Sequence, residues 1–352
     1  MPGVVVSLND RKSGGKEGDD ATTQAGRKAS IQPLVDLVQP DMERVNRMIV
    51  SRCGSEVEMI PEVARHLIDS GGKRLRPMLT LAAAAMCGYR GDHHVTLAAS
   101  VEFMHTATLL HDDVVDESDR RRGKLAARMV WGNQASVLVG DFLLGQAFRM
   151  MVEAGSMHCL DVLSHAATVI AEGEVMQLGT AQNLETTQDE YMEVVRAKTA
   201  ALFAAAAEVG PILAGAPKAA ISAFRSYGNN LGLAFQLIDD ALDYGGSSQT
   251  LGKNTGDDFR EGKVTLPVLL CYRRGNDKER NFWREAIERG QNDDSRLEEA
   301  MRLMHEHNAL ADTLARAQQF CELAQDALAM FGDSPHKQAL IEALEYSLMR
   351  AN

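Results

Sequence analysis

Two stretches of this sequence set three carboxylates in the same pattern. Around Asp112 the chain reads Ala107-Thr-Leu-Leu-His-Asp-Asp-Val-Val-Asp116, and around Asp239 it reads Ala234-Phe-Gln-Leu-Ile-Asp-Asp-Ala-Leu-Asp243. Both obey A-x-x-L-x-D-D-x-x-D. On a helix the first and last Asp of each triplet stand one turn apart on one face, where like charges repel. Asp is also a modest helix former. An apolar helix ending in such a triplet needs a compensating cation. Carboxylates without a Cys or His ligand set point to a hard ion, Mg²⁺ or Mn²⁺. Mg²⁺ takes few protein carboxylates and completes its shell with water and substrate phosphates. A single DDxxD is commonly a solvated acidic helix end; two in matching apolar contexts favour metal.

Cations suited to phosphate lie nearby in compact groups. Gly71-Gly-Lys73-Arg74-Leu-Arg76-Pro77 puts three of them at the entry to a helix, where backbone N–H groups add anion affinity. Arg120-Arg121-Arg122-Gly123 follows the first Asp motif, and Lys198-Thr199, Lys253 after Gly252, and Lys263 after Gly262 complete the set. Each would be an ordinary surface charge by itself. Placed together on glycine-containing turns beside the acidic motifs, they describe a diphosphate site.

The elements that carry these residues are helical. Apolar side chains from Leu34 to Ile49 step by three and four, an apolar helix is expected over Met78–Cys87, and a long one over about Val95–Val115. Further helices are expected at 134–153, 159–183, 188–208, 218–243, 264–274, 278–289, 296–306, 309–331 and 336–350, with no competing strand alternation. No proline falls between Met78 and Gly210, and aromatics are only 5% of the chain, which speaks against a turn-punctuated sandwich or barrel. Residues 1 to about 30 are polar and aperiodic, so a tail is expected there, followed by one all-α domain over 31–352, a large helical bundle around a central cavity. The 37 Lys and Arg against 49 Asp and Glu give a charge of −12, which excludes general nucleic-acid binding but not local capture of phosphate. Five scattered cysteines with no CxxC read as reduced thiols, no apolar run approaches a membrane span, and the acidic opening segment is unlike a transit peptide; a cytoplasmic protein is expected.

The segments GGKRLRP, EFMHTATLLHDDVVDESDRRRG, AKTA, FQLIDDALD and LGKNTGDDFREGKVTLP, in this order, resemble those of the trans-polyprenyl diphosphate synthases, over essentially the whole chain after the tail. The bacterial long-chain members, which make octaprenyl, solanesyl or decaprenyl side chains of respiratory quinones, are most similar. The resemblance implies an all-α isoprenoid synthase fold, a homodimer, and Mg²⁺ held between the two Asp motifs and an allylic diphosphate. It places Asp112, Asp113 and Asp116 opposite Asp239, Asp240 and Asp243 as the catalytic carboxylates, with Asp112, Asp116 and Asp239 as metal ligands. It assigns Lys73, Arg76, His105 and Arg122 to the diphosphate of isopentenyl diphosphate, and Arg121, Lys198, Thr199, Gln236, Lys253 and Lys263 to the allylic diphosphate.

The chemistry is consistent with those roles. Cleavage of an allylic C–O bond builds negative charge on the departing diphosphate, which metal ions and preset cations stabilise. The cation left behind must meet an alkene and not water, so the remaining cavity should be dry. Small residues at Ala107 and Thr108, where short-chain relatives tend to carry aromatics, suggest an open path for a long product along Met104 and Ser100, with Phe142 and Phe148 as candidates for its floor. The apolar product suggests transient contact with a membrane surface at release. Two other functions compete: a terpene cyclase, disfavoured by the intact second Asp motif, and a non-enzymatic subunit of a heteromeric synthase, disfavoured because no Asp is lost.

Overall fold

A computed structural model describes residues 29–68, 71–245 and 256–350. The expected tail over residues 1 to about 30 lies outside the described residues except for Ala29 and Ser30.

The apolar periodicity resolves into helices α1 (Gln32–Arg52), α2 (Met59–Ile68), α3 (Leu75–Met86), α4 (His93–Val115), α5 (Ala127–Trp131), α6 (Asn133–Glu153), α7 (Met157–Thr180), α8 (Gln188–Val195), α9 (Ala201–Leu213) and α10 (Lys218–Gly245). After these come α11 (Asp257–Arg260), α12 (Leu266–Arg274), α13 (Asp277–Trp283), α14 (Asp294–Glu306), α15 (Ala309–Ala327) and α16 (Pro335–Met349). Starts are set by local chemistry. Thr187 and Glu190 form a reciprocal capping box at α8, as Asn276 and Glu279 do at α13, while Ser334 caps α16 ahead of Pro335 at its first position.

Three details depart from the pattern read in the sequence, one of them a π-helical turn at Arg284–Glu288 inside the expected helix 278–289. The expected helix at 188–208 is interrupted at Arg196–Ala200, where the backbone widens into a π-helical turn before continuing as α9. Such bulges are frequent at functional sites, and this one carries Lys198 and Thr199. Among the described residues there is also one strand pair, β1 (Arg120–Arg121) and β2 (Lys124–Leu125), antiparallel with Arg121 opposite Lys124. Its two-residue turn, Arg122-Gly123, has φ of 52° and 79°, the positive-φ pair a tight hairpin requires. Alternation over two residues is too short to register in any sequence window.

The core runs through the whole described bundle. α4, mostly buried, packs most extensively on α6, and α10 packs on α9 and α15, with α3 against α9 and α4. Both Asp motifs therefore lie toward the ends of helices that are sheathed by others. α6 is the one described helix long and apolar enough to cross a membrane by length and composition, yet its Val139, Leu143, Ala147 and Met150 are buried and it carries Asp141 and Arg149.

Candidate active site

In the first Asp motif, Asp112 lies in the last turn of α4 and Asp116 caps it, its N–H donating to Asp112 O at 2.8 Å. Both side chains are partly exposed. Asp113 is not: it is 0% exposed, and accepts a hydrogen bond from Arg121 Nε at 2.6 Å. A helix turns about 100° per residue, so the middle Asp of a DDxxD cannot share the face of its neighbours. The second motif repeats this. Asp239 and Asp243 are partly exposed, whereas Asp240 is 2% exposed and accepts from the Tyr191 hydroxyl and from Gln236 Nε2 at 2.8 Å. Of the six carboxylates, Asp113 and Asp240 are thus buried against protein donors, while Asp112, Asp116, Asp239 and Asp243 keep partial exposure.

Electrostatics separate the carboxylates further. Burial pushes Asp112 up to about 7, with Glu174 and Asp116 adding to the rise and Lys198 opposing it. Burial and then Asp258 push Asp240 up to about 7, its hydrogen bonds pulling the other way. Asp239 pairs with Arg350 Nη2 at 3.2 Å, and Asp243 Oδ2 accepts from the Asp258 N–H at 3.0 Å at the start of α11.

Most of the expected cations gather at this mouth. Lys198 lies 2.8 Å from Glu174 and acts on Asp112. Lys263 bridges the halves of the chain, 3.6 Å from Asp116, 3.8 Å from Asp258 and 2.5 Å from Glu261; burial works against its charge, but these carboxylates hold its ammonium above the ordinary lysine range. Thr199 Oγ1 donates to Gln236 Oε1 at 2.9 Å, joining the π-helical turn to α10. Arg121, partly exposed, donates through Nε to Asp113. Lys253 lies outside the described residues.

A second basic group sits beside the first. The Arg76 guanidinium stacks 4.1 Å over the Phe203 ring and is lowered to about 10 by burial, with Glu102 and Asp239 partly restoring it. Burial, then the charges of Arg76, Arg122, Arg121 and Arg74, keeps His105 well below the usual imidazole value, so it is neutral at physiological pH. Lys73 Nζ sits 4.7 Å over the Tyr346 ring, and the Arg350 guanidinium stacks over Phe235, so α16 leans over the mouth. Thr108 is partly exposed on the Asp112 face, while Ala107 is buried. The Ser100 hydroxyl donates to Ala147 O on α6, and His111 bonds Val137 O on α6, so the stripe 100–107–111 faces that helix. Phe142 and Phe148 on α6 are half-buried against the core.

Sequence reasoning missed Glu102, Glu174, Tyr191 and Arg350. Glu102 stands in an apolar run and Arg350 near the C-terminus, while Glu174 and Tyr191 lie in mixed helical segments, and only proximity in the fold reveals their partners.

The donor set fits a hard divalent ion. Among the described residues no three carboxylate, imidazole or thiolate groups converge tightly enough to hold a metal by themselves. What each motif offers is a pair of carboxylates, one of them, Asp112, short of positive charge, which suits an ion that finishes its shell with water and phosphate.

The family model for polyprenyl synthetase matches residues 57–304. The chain belongs to the polyprenyl synthetase family. It is a prenyltransferase, and its all-helical fold is that of the isoprenyl diphosphate synthases. It is 45% identical over 321 residues to octaprenyl diphosphate synthase of Escherichia coli (strain K12), covering 91% of this chain and 99% of that one. Among solved structures, a polyprenyl synthase from Caulobacter crescentus CB15, complexed with calcium and isoprenyl diphosphate, superposes with a TM-score of 0.89 at 51% identity, covering 92% of this chain and 99% of that one. A decaprenyl diphosphate synthase from Rhodobacter capsulatus gives 0.88, also at 51% identity, covering 92% and 100%.

Proposed function

We propose that this single-domain prenyltransferase, folded over 31–352, makes a long all-trans-polyprenyl diphosphate. It condenses isopentenyl diphosphate repeatedly onto an allylic diphosphate such as farnesyl diphosphate, to a product in the octaprenyl-to-decaprenyl range that serves as a quinone side chain. The observation that carries this reading is Lys263, 3.6 Å from Asp116 of the first motif and 3.8 Å from Asp258, whose N–H donates to Asp243 of the second, which supports both motifs opening on one mouth.

The allylic diphosphate is assigned to Lys198, Thr199, Gln236, Lys263 and Lys253, with Arg121 acting through Asp113. Mg²⁺, with Mn²⁺ as a substitute, is assigned to Asp112, Asp116 and Asp239; when bound it supplies positive charge to the departing diphosphate. Isopentenyl diphosphate is assigned to Lys73, Arg76, His105 and Arg122. Neutral His105 donates or accepts a hydrogen bond without adding charge, and the arginines fix the alkene near the allylic carbon. As the allylic C–O bond breaks, the cations of the mouth stabilise the diphosphate and the buried walls of α4 and α9 keep water from the carbocation. The alkene attacks, and a proton is lost from the adjacent carbon to the departed diphosphate.

The growing chain is assigned to the path below Asp112, past Thr108 and Ala107. Ala107→Tyr is expected to shorten the product while condensation continues; an unchanged chain length on product chromatography contradicts the path. A homodimer is supported by exposed apolar side chains on α6 and α7, among them Leu138, Val152, Val175 and Leu178. We place the enzyme in the cytoplasm, with transient membrane-surface contact at product release. Purified protein incubated with Mg²⁺, farnesyl diphosphate and labelled isopentenyl diphosphate distinguishes this function from a cyclase or an inactive subunit: incorporation into long products supports it, and label left in the five-carbon substrate overturns it.

A further inference from the structure

Glu102 lies on α4 nearly three turns before Asp112, 12% exposed at its side chain, and the charged groups that act on it are arginines. Its Oε1 is 3.1 Å from Arg74 Nη1, and its charge is coupled to Arg74, Arg76 and Arg122 together. Two of those three arginines sit on costly backbone. Arg74 at the entry to α3 has φ of 51° and Arg122 in the hairpin turn has φ of 52°, a region that non-glycine residues seldom occupy. The Arg122 guanidinium also lies so close over Gly72 that a Cβ there would come 2.8 Å from Nη1. Strain of this kind persists only where surroundings impose it. Arg76 Nε is buried with no hydrogen-bond partner among the described residues, leaving donor capacity free.

We infer that Glu102 is a positioning residue, the shared counter-charge that holds the Arg74, Arg76 and Arg122 guanidinium groups at the spacing that receives the diphosphate of isopentenyl diphosphate. Three like charges brought together around neutral His105 repel one another, and a single carboxylate offsets part of that repulsion while leaving the cluster net positive for an anion. A carboxylate repels the diphosphate itself, so Glu102 acts through the arginines and does not contact the substrate. Burial raises its proton affinity, and the charges of Arg74, Arg76 and Arg122 act in the opposite sense. This role also brings in Arg74, which motif matching had left unassigned.

The inference rests on the assignment of this cluster to isopentenyl diphosphate, and the test separates the two. Steady-state kinetics with each substrate varied are compared for the wild-type enzyme, Glu102→Gln, Glu102→Asp and Arg76→Met, with thermal melting of each. Glu102→Gln is expected to raise the KM for isopentenyl diphosphate roughly tenfold, about 1.4 kcal/mol. Its KM for the allylic diphosphate and its kcat should stay within about twofold of wild type, and Glu102→Asp should recover part of the loss. A general packing defect would instead move both substrates together with the melting temperature. If Arg76→Met raises this KM and Glu102→Gln does not, the positioning role is overturned and the site assignment stands. If neither variant changes it, the assignment itself falls. Should Glu102→Gln fail to fold, Glu102→Asp decides: a selective rise in the same KM supports the role, and an unchanged one overturns it.

Discussion

In the first Asp motif the middle carboxylate, Asp113, is buried against the guanidinium of Arg121; in the second, Asp240 is buried against the phenol of Tyr191 and the amide of Gln236. The outer carboxylates differ as well. Asp116 is reached by Lys263 and Asp112 sits near Glu174, whereas Asp239 is held by Arg350 and Asp243 is tied to the start of α11. The same ten-residue signature is thus anchored once by an ion pair and once by neutral donors. An ion pair fixes its motif independently of ligand. A carboxyl pushed to about 7 and held by neutral groups responds to any positive charge that arrives. The middle carboxylate of the first motif is therefore anchored by charge and that of the second by neutral donors, the latter linked through Gln236 and Thr199 to the π-helical turn.

The sharpest test of equal chemical weight in both halves is removal of an outer ligand. Asp112→Ala and Asp239→Ala should each lower kcat by on the order of a hundredfold or more, measured as incorporation of labelled isopentenyl diphosphate. Near-normal turnover in either variant would remove that motif from the metal site. Breaking the anchors should be unequal. Arg121→Met strands a buried carboxylate and should cost about 3 kcal/mol in urea unfolding, at the low end for a broken buried pair because Arg121 is partly exposed. Tyr191→Phe removes one neutral donor from Asp240 and should cost about 1–2 kcal/mol. Equal losses would erase the distinction between the halves.

A smaller effect comes from pH. Asp112 and Asp240 titrate near 7 in the folded protein, against 3.8 as the ordinary value, so the fold binds protons that the unfolded chain has released. Their penalty is absent below about pH 4 and complete above about pH 7. In chelator-treated protein, the stability of Asp112→Asn and Asp240→Asn relative to wild type should therefore improve as pH rises through that window, by roughly 1–2 kcal/mol. Added Mg²⁺ should diminish the gain, since a bound cation draws both groups toward the ionised form. A pH-independent difference would contradict the burial assigned to them.

Much of this was legible in the residues. The Asp triplets, the basic clusters and the helical periodicity locate the site and its scaffold, because each depends on local spacing. What spacing could not supply was direction. The i+1 position of Asp113 and Asp240 implies a turn away from the outer pair, but not what receives them; Tyr191 is 49 residues from Asp240 in sequence. The hairpin at Arg122-Gly123 has an arginine where turn-forming residues usually stand, and the π-helical turn at Lys198 has no local signature, so both appeared as continuous helix or loop. Ser100 fits the face of the proposed product path by periodicity, yet its hydroxyl is spent on α6.

Product sizing tests the central claim most directly: that both motifs and both basic groups serve one site for two diphosphates. Purified protein, Mg²⁺, farnesyl diphosphate and labelled isopentenyl diphosphate should yield label in polyprenyl diphosphates of octaprenyl to decaprenyl length. Label remaining in isopentenyl diphosphate, or a cyclised hydrocarbon formed without it, would contradict the account.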